Sequence, residues 1–202
     1  VPDLLSKAAG TVRFGDIGLC GYVNQVDYEN TKQFSAVVFC LGSGEYFIAF
    51  RGTDYTLAGW KEDFQMSFMD EVLSQKQAVA YVQEVASSID GAFYLGGHSK
   101  GGNLAVYAAA HAAPKIQDRI TAIYSNDGPG FRADVIESAG YRRVLDRINT
   151  FVPKSSCVGI LLEHGEEYRV VGSRESGIMQ HNPLSWEVKG PRFVYEKEIT
   201  RT

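Results

Sequence analysis

Basic runs, long apolar stretches and closely spaced cysteines are all missing from this 202-residue chain, and each absence closes off a class of function. Lys and Arg number 20 against 24 Asp and Glu, a formal net charge of -4. Without a cluster of basic residues, no nucleic-acid partner is expected. No apolar stretch approaches the ~20 residues of a membrane-spanning helix, so any membrane contact is expected to be transient and at the surface. No basic-then-apolar leader opens the chain. It starts at Val1 rather than Met, however, so it is read as open to having been trimmed from a longer chain. Cys20, Cys40 and Cys157 are odd in number and far apart, which suits neither a disulfide framework nor a metal site. Three reduced, mostly buried thiols in a cytoplasmic protein are expected, with no metal and no cofactor.

What is present reads as one globular domain over residues 1–202. Hydrophobic residues make up 45% and charged residues 22%, enough to bury a sizeable core. Residues 1–30 carry few signals. Residues 35–41 and 46–50 read as strands joined by the turn Gly42-Ser43-Gly44-Glu45. Helical spacing is uneven over 57–69 and clearer over 75–89, where Ala78, Val79, Val82, Val85, Ala86 and Ile89 recur every three or four residues. Strands follow at 92–96, 120–125 and 147–152, with helices at 100–112, ending before Pro114, and at 133–140. Residues 168–171 and 186–188 read as short late strands. A hairpin followed by alternating helix and strand predicts an α/β fold: a mostly parallel sheet with helices on both faces and an initial antiparallel hairpin.

The chemistry is concentrated at Gly97-His98-Ser99-Lys100-Gly101. This G-x-S-x-G sits between an apolar strand and an alanine-rich helix. A sharp strand-to-helix turn there exposes the Ser99 hydroxyl in a strained backbone conformation. A tight turn with an incidental serine would share the motif but not the need for that context. A phosphate-binding loop is set aside because the segment lacks G-x-x-x-x-G-K-[ST].

A serine nucleophile needs a base. His98 lies within the turn itself and reads as a packing residue. His111 is at the far end of the following helix. His181, in the loop Gly177-Ile178-Met179-Gln180-His181-Asn182-Pro183, fits the chain order Ser, acid, His, and His164 is the fallback. The base in turn needs a carboxylate to hold its tautomer. Asp127 follows the first strand after the nucleophile's helix, at the strand end where sites gather in open parallel sheets. A turn aspartate beside Gly-Pro would look the same. Asp146 precedes its strand and lies at the wrong end. The oxyanion needs two donors: the backbone N–H of Lys100, and a group from the Arg51-Gly52-Thr53-Asp54 loop, for which Thr53 is chosen.

Taken together, Phe50-Arg51-Gly52-Thr53, Trp60 with Asp63, and Gly-His-Ser-x-Gly-Gly-x-Leu-Ala at 97–105 resemble the class 3 lipase family. The resemblance spans about residues 35–130 and implies an α/β-hydrolase fold. It also implies an oxyanion role for Thr53 and a lid around Trp60. Beyond residue 130 it weakens. Those lipases place the acid after a later strand, but the matching stretch, Thr150-Phe151-Val152-Pro153-Lys154-Ser155-Ser156, has no carboxylate. Asn126-Asp127-Gly128-Pro129-Gly130-Phe131 resembles the pancreatic-lipase arrangement instead. The later run through His164 to Trp186 resembles a little-characterised bacterial branch of lipase-like hydrolases.

Apolar walls suit acyl chains. Trp60, Phe64 and Phe68 are the candidate substrate-binding residues, with Leu161, Leu162 and Ile178 beside the candidate histidines. The expected function is hydrolysis of a carboxylic ester, from a small-molecule ester to a lipid. A thioesterase or acyltransferase would use the same residues. A peptidase lacks a visible peptide site. A catalytically silent interaction module remains if Asp127 and His181 do not converge on Ser99.

Overall fold

The computed structural model describes residues 2–30, 32–42, 44–53 and 71–199. Helix α1 (Pro2–Ala9) precedes strands β1 (Gly18–Asp27), β2 (Lys32–Gly42) and β3 (Glu45–Phe50). Next come α2 (Leu73–Ser88), β4 (Phe93–His98), α3 (Lys100–His111), α4 (Pro114–Gln117) and β5 (Ile120–Asn126). Helices α5 (Ala133–Ile136) and α6 (Ala139–Val144), then strands β6 (Ile148–Pro153) and β7 (Tyr168–Val171), complete the main sheet. A small ribbon of β8 (Val188–Lys189) and β9 (Arg192–Phe193) follows. The expected helix over 57–69 lies outside the described residues.

Among the described residues, seven strands form one sheet in the order β1-β2-β3-β4-β5-β6-β7, each after the first beside its predecessor in sequence. The first two pairings are antiparallel and the next four parallel. This is the mostly parallel sheet with an initial hairpin that the element order predicts. The register of β3 on β4 sets Phe50 opposite Gly97, and that of β4 on β5 sets His98 opposite Asn126. The loops after β3, β4 and β5 therefore leave the sheet side by side at its carboxyl end, where open parallel sheets build their sites.

Helix α3 is the centre of the core. Lys100 through Ala110 are all buried, and the helix packs against α2, α6 and strands β3 to β5. Its run of Gly and Ala permits close approach on every side, since bulkier side chains would hold neighbouring elements apart. Phe34, Ile48, Phe50, Leu95 and Ile123 face it from the sheet. The opposite face holds α1, whose Leu4, Leu5 and Ala8 share a groove with Val37, Phe39 and Ala49. It also holds the C-terminal segment, whose Trp186 and Phe193 pack on Phe151. Helices thus stand on both faces, with the crossover helices α2, α3 and α6 gathered on one.

Four details differ from the sequence reading. The helix expected over 133–140 is two short helices, because the Ser138 hydroxyl accepts from Tyr141 N and caps a new start. The strand expected at 186–188 is shifted: Val188 pairs with Phe193, and Trp186 makes only a bridge to Ser173. Strand β1 runs almost wholly exposed along the edge, so its sequence shows no buried alternation. The thiols are not mostly buried: Cys20 and Cys157 are exposed and Cys40 is half-buried. The reason is placement, since Cys20 lies on that edge strand, Cys40 close to the end of its neighbour, and Cys157 in a loop. Cys20 and Cys40 meet side by side, Sγ to Sγ 3.7 Å. Among the described residues no helix is long and apolar enough to cross a membrane.

Candidate active site

Ser99 joins β4 to α3 with φ 58° and ψ -131°, a backbone conformation that costs a non-glycine residue about 1–3 kcal/mol. The surroundings impose it. Ser99 N donates to Asn126 O at 2.9 Å, and Ser99 O accepts from Gly102 N at 2.9 Å. A Cβ at Gly97 would lie 2.6 Å from Phe50 O, so only glycine lets β3 and the turn approach this closely. The Arg51-Gly52-Thr53 loop crosses directly over the turn: a Cβ at Gly52 would lie 2.6 Å from His98 O and 3.3 Å from Ser99 Cβ. Thr53 therefore follows a residue in contact with Ser99. Lys100 opens α3, placing its main chain at the positive end of the helix. Its side chain runs away from the turn, 1% exposed, and donates from Nζ to Gln33 O at 2.8 Å and Gln33 Oε1 at 2.6 Å.

Asp127 follows β5 in the left-handed region, φ 51°, which aspartate tolerates better than most residues. It is wholly buried, and its N donates to Phe151 O at 2.7 Å. Oδ2 meets His181 Nδ1 at 2.6 Å. Oδ1 accepts from Ser156 Oγ at 2.5 Å and from Gly159 N at 3.0 Å. The loop that carries Asp127 is tied to α3, since Asn103 Nδ2 donates to Pro129 O at 3.1 Å and Gly130 O at 3.0 Å. Gln75 Nε2 on α2 in turn donates to Asn103 Oδ1 at 3.0 Å.

His181 ends a 3-10 turn over Gly177–His181. Its neighbour Gln180 is buried and pins the loop: Oε1 accepts from Ser155 N at 2.9 Å, and Gln180 O accepts from Trp186 Nε1 at 2.8 Å. His98 packs its ring 4.5 Å from that of His181 and bonds His181 O through Nε2 at 2.6 Å. Burial, followed by the nearby His181, pulls His98 down to about 4. His98 is therefore neutral at pH 7, with its one N–H on Nε2. With Nδ1 committed to Asp127, His181 keeps Nε2 for another partner. Among the described residues that nitrogen makes no hydrogen bond, and none joins it to Ser99 Oγ.

The structure thus brings Asp127 and His181 into direct contact and sets Ser99 and Lys100, at the start of α3, beside the loop that carries Thr53. Trp60, Phe64 and Phe68 lie outside the described residues. Leu161, Leu162 and Ile178 are exposed, as are Ile160 and Met179. Asn103, Ser156 and Gly159 escaped the sequence reading as residues that hold Asp127 and its loop. A polar residue immediately before the apolar run Leu104–Ala110 of α3 was the one available signal for Asn103.

His164, the fallback base, is held elsewhere. Nε2 bonds Gly159 O at 2.7 Å and Nδ1 meets Glu166 Oε1 at 3.1 Å. The Tyr141 and Thr150 hydroxyls also donate to Glu166. Burial alone would raise the Glu166 carboxyl, but hydrogen bonds from His164, Thr150 and Tyr141 outweigh it and hold it at about 2, against an ordinary 4.5. A carboxyl depressed on folding stabilises the protein above its unfolded value, and that stability is lost as pH falls through the folded one. The melting-temperature gap between the protein and Glu166→Gln is therefore expected to be widest above pH 4.5 and to narrow as pH falls toward 2. A gap independent of pH across that window in calorimetry would reject the assignment.

Comparison with solved structures places this arrangement on a known scaffold. A fungal lipase in an inhibitor complex superposes with a TM-score of 0.54 at 15% identity, over 78% of this chain and 65% of that one. The Rhizomucor miehei lipase in its propeptide complex gives 0.54 at 17% identity, over 77% and 57%. M37 lipase gives 0.54 at 17% identity, over 78% and 62%. At these identities the likeness is one of fold, the lipase-type α/β-hydrolase fold, and the chain spans about three-fifths of the length of those lipases. No curated protein matches the chain by sequence. A family model does match, over residues 8–202, and by it the chain belongs to the Mbeg1-like family.

Proposed function

We propose that the protein is a serine hydrolase that cleaves carboxylic esters through an acyl-enzyme on Ser99. The observation that carries this is the 2.6 Å contact between Asp127 and His181 beside a serine held at φ 58° on a strand-to-helix turn. In this reading Ser99 Oγ attacks the ester carbonyl carbon while His181 Nε2 takes its proton. Asp127 holds Nδ1–H and stabilises the imidazolium without itself being protonated. The oxyanion is received by Lys100 N–H and by the Thr53 backbone or hydroxyl. Collapse expels the alcohol, which leaves with the proton from Nε2. A water then gives its proton to the same nitrogen, attacks the acyl carbon and frees the acid and the serine.

An apolar acyl group suits the surroundings. Leu161, Leu162, Ile178 and Met179 expose their side chains on the loops that carry Gly159 and His181, and exposed apolar side chains near a site favour apolar ligands. Esters of lipid or other hydrophobic acids are the proposed substrates. The expected result is that kcat/KM on p-nitrophenyl esters exceeds that on matched anilides at every acyl length and rises with chain length before levelling. Equal turnover of esters and anilides would replace this reading with an amidase or peptidase. Faster turnover of matched acyl thioesters would replace it with a thioesterase.

A further inference from the structure

The turn at 156–159 lies between the proposed triad acid and His164. Ser156 Oγ and Gly159 N both donate to Asp127 Oδ1, and Gly159 N also meets Ser156 Oγ at 2.9 Å. On its other side the same turn offers Gly159 O to His164 Nε2. Beyond His164 stands Glu166, fixed by Tyr141 from α6 and Thr150 from β6. Both partners of the His164 ring are oxygens that only accept, a carboxylate and a main-chain carbonyl. A neutral imidazole has one N–H and must leave one nitrogen lone pair facing an oxygen; only the imidazolium donates to both. The side chains of His164 and Glu166 are 8% and 4% exposed, so water is poorly placed to substitute.

Resting on the proposed Ser99–His181–Asp127 triad, we propose that His164 is a positioning residue. As an imidazolium bridging Glu166 and Gly159 O, it clamps the 156–159 turn onto Asp127 Oδ1 and so fixes the carboxylate that orients His181. The charged and titratable groups facing it are Glu166 with the Tyr141 hydroxyl behind it, Asp127 across the turn, and the Tyr168 ring, 6.1 Å away and edge-on. Burial alone would lower His164. The hydrogen bond and charge of Glu166, with smaller help from Gly159 O and Asp127, reverse this and raise it above the ordinary 6.5. The clamp is therefore closed in its charged form and opens as pH rises through the raised value. Loss of one proton turns an attraction into a lone-pair repulsion at Glu166 or Gly159 O, and the turn loses its outer support.

The decisive measurement is the titration of the His164 Cε1–H signal by NMR in the substrate-free protein, with the kcat and KM pH profiles measured in parallel. His164 is expected to titrate above 6.5 and to move to lower pH in Glu166→Gln. On that same titration kcat should fall while KM holds. His164→Gln should lower kcat by up to about 10²-fold, the cost of a small misplacement of a reacting group. It should also abolish that descending limb and broaden the low-field Nδ1–H signal of His181. A His164 that titrates below 6.5 in the unaltered protein overturns the proposal. So does a folded His164→Gln with unchanged kcat and an unchanged low-field signal. If the variant does not fold, the titration in the unaltered protein still decides. If Ser99 proves unreactive toward fluorophosphonate, the hydrolase reading fails, while the two NMR signals still decide whether His164 clamps Asp127.

Discussion

Ser99→Ala is expected to abolish both ester hydrolysis and covalent labelling by a fluorophosphonate, with kcat down by about 10⁶-fold, the scale seen when a serine nucleophile is removed. The fold should be unaffected. Ser99 is held by main-chain bonds to Asn126 O and from Gly102 N, and alanine keeps both bonds as well as the Cβ. The strain at φ 58° also stays, so the melting temperature of Ser99→Ala should match that of the parent. Ser99→Gly, which removes the Cβ that makes this conformation costly, should melt higher by the equivalent of about 1 kcal/mol. Undiminished labelling of Ser99→Ala would reject the nucleophile. A Ser99→Gly that melts lower would reject the strain argument.

Asp127→Asn is expected to lower kcat by about 10⁴-fold with KM little changed, and the hydrogen bonds around the carboxylate give the reason. Gly159 N can only donate, and it faces Oδ1 together with Ser156 Oγ. In the asparagine variant the amide oxygen must occupy that side, leaving the NH₂ group against His181 Nδ1. An NH₂ donor there requires Nδ1 to accept, which moves the imidazole proton to Nε2, the nitrogen that has to receive the serine's proton. The base is then locked in the wrong tautomer within an unaltered geometry. Adding Ser156→Ala relaxes the preference only in part, because the Gly159 N–H remains. Near-normal kcat in Asp127→Asn, or a structure of that variant with its amide oxygen on His181, would reject the role of Asp127 and leave a Ser–His dyad.

The strand-to-helix turn was legible because its constraints are local. Gly97, Ser99 and Gly101 fall within five residues, and the flanking apolar strand and alanine-rich helix are continuous in sequence. The hairpin, the clear helix at 75–89 and the central strands were readable for the same reason. Strand β1 and helix α1 were not. Strand β1 is almost wholly exposed, so burial imprints no alternation on it, and α1 is only eight residues long, with a stripe of just Leu4, Leu5 and Ala8. The missing carboxylate after β6 reads differently once folded. That loop supplies the Ser156 hydroxyl and the Gly159 amide to a carboxylate borne by the neighbouring strand, so the two loops divide one task between them. The His164 network could not be read from sequence, because it joins positions 141, 150, 159, 164 and 166 from four separate segments and depends on which ring nitrogen meets which oxygen.

Because, among the described residues, each strand of the main sheet after the first pairs with the one made just before it, the sheet can grow by accretion as the chain leaves the ribosome. Ser99 and Asp127 are laid down on adjacent strands during that growth, whereas His181 comes only after β7 has closed the far edge. In the proposed reading, a nascent chain held at about that point would own the main sheet, the serine and its carboxylate, yet no base. Reactivity toward esters would switch on in a single late event, the docking of residues 177–186 onto Phe151 and Ser155.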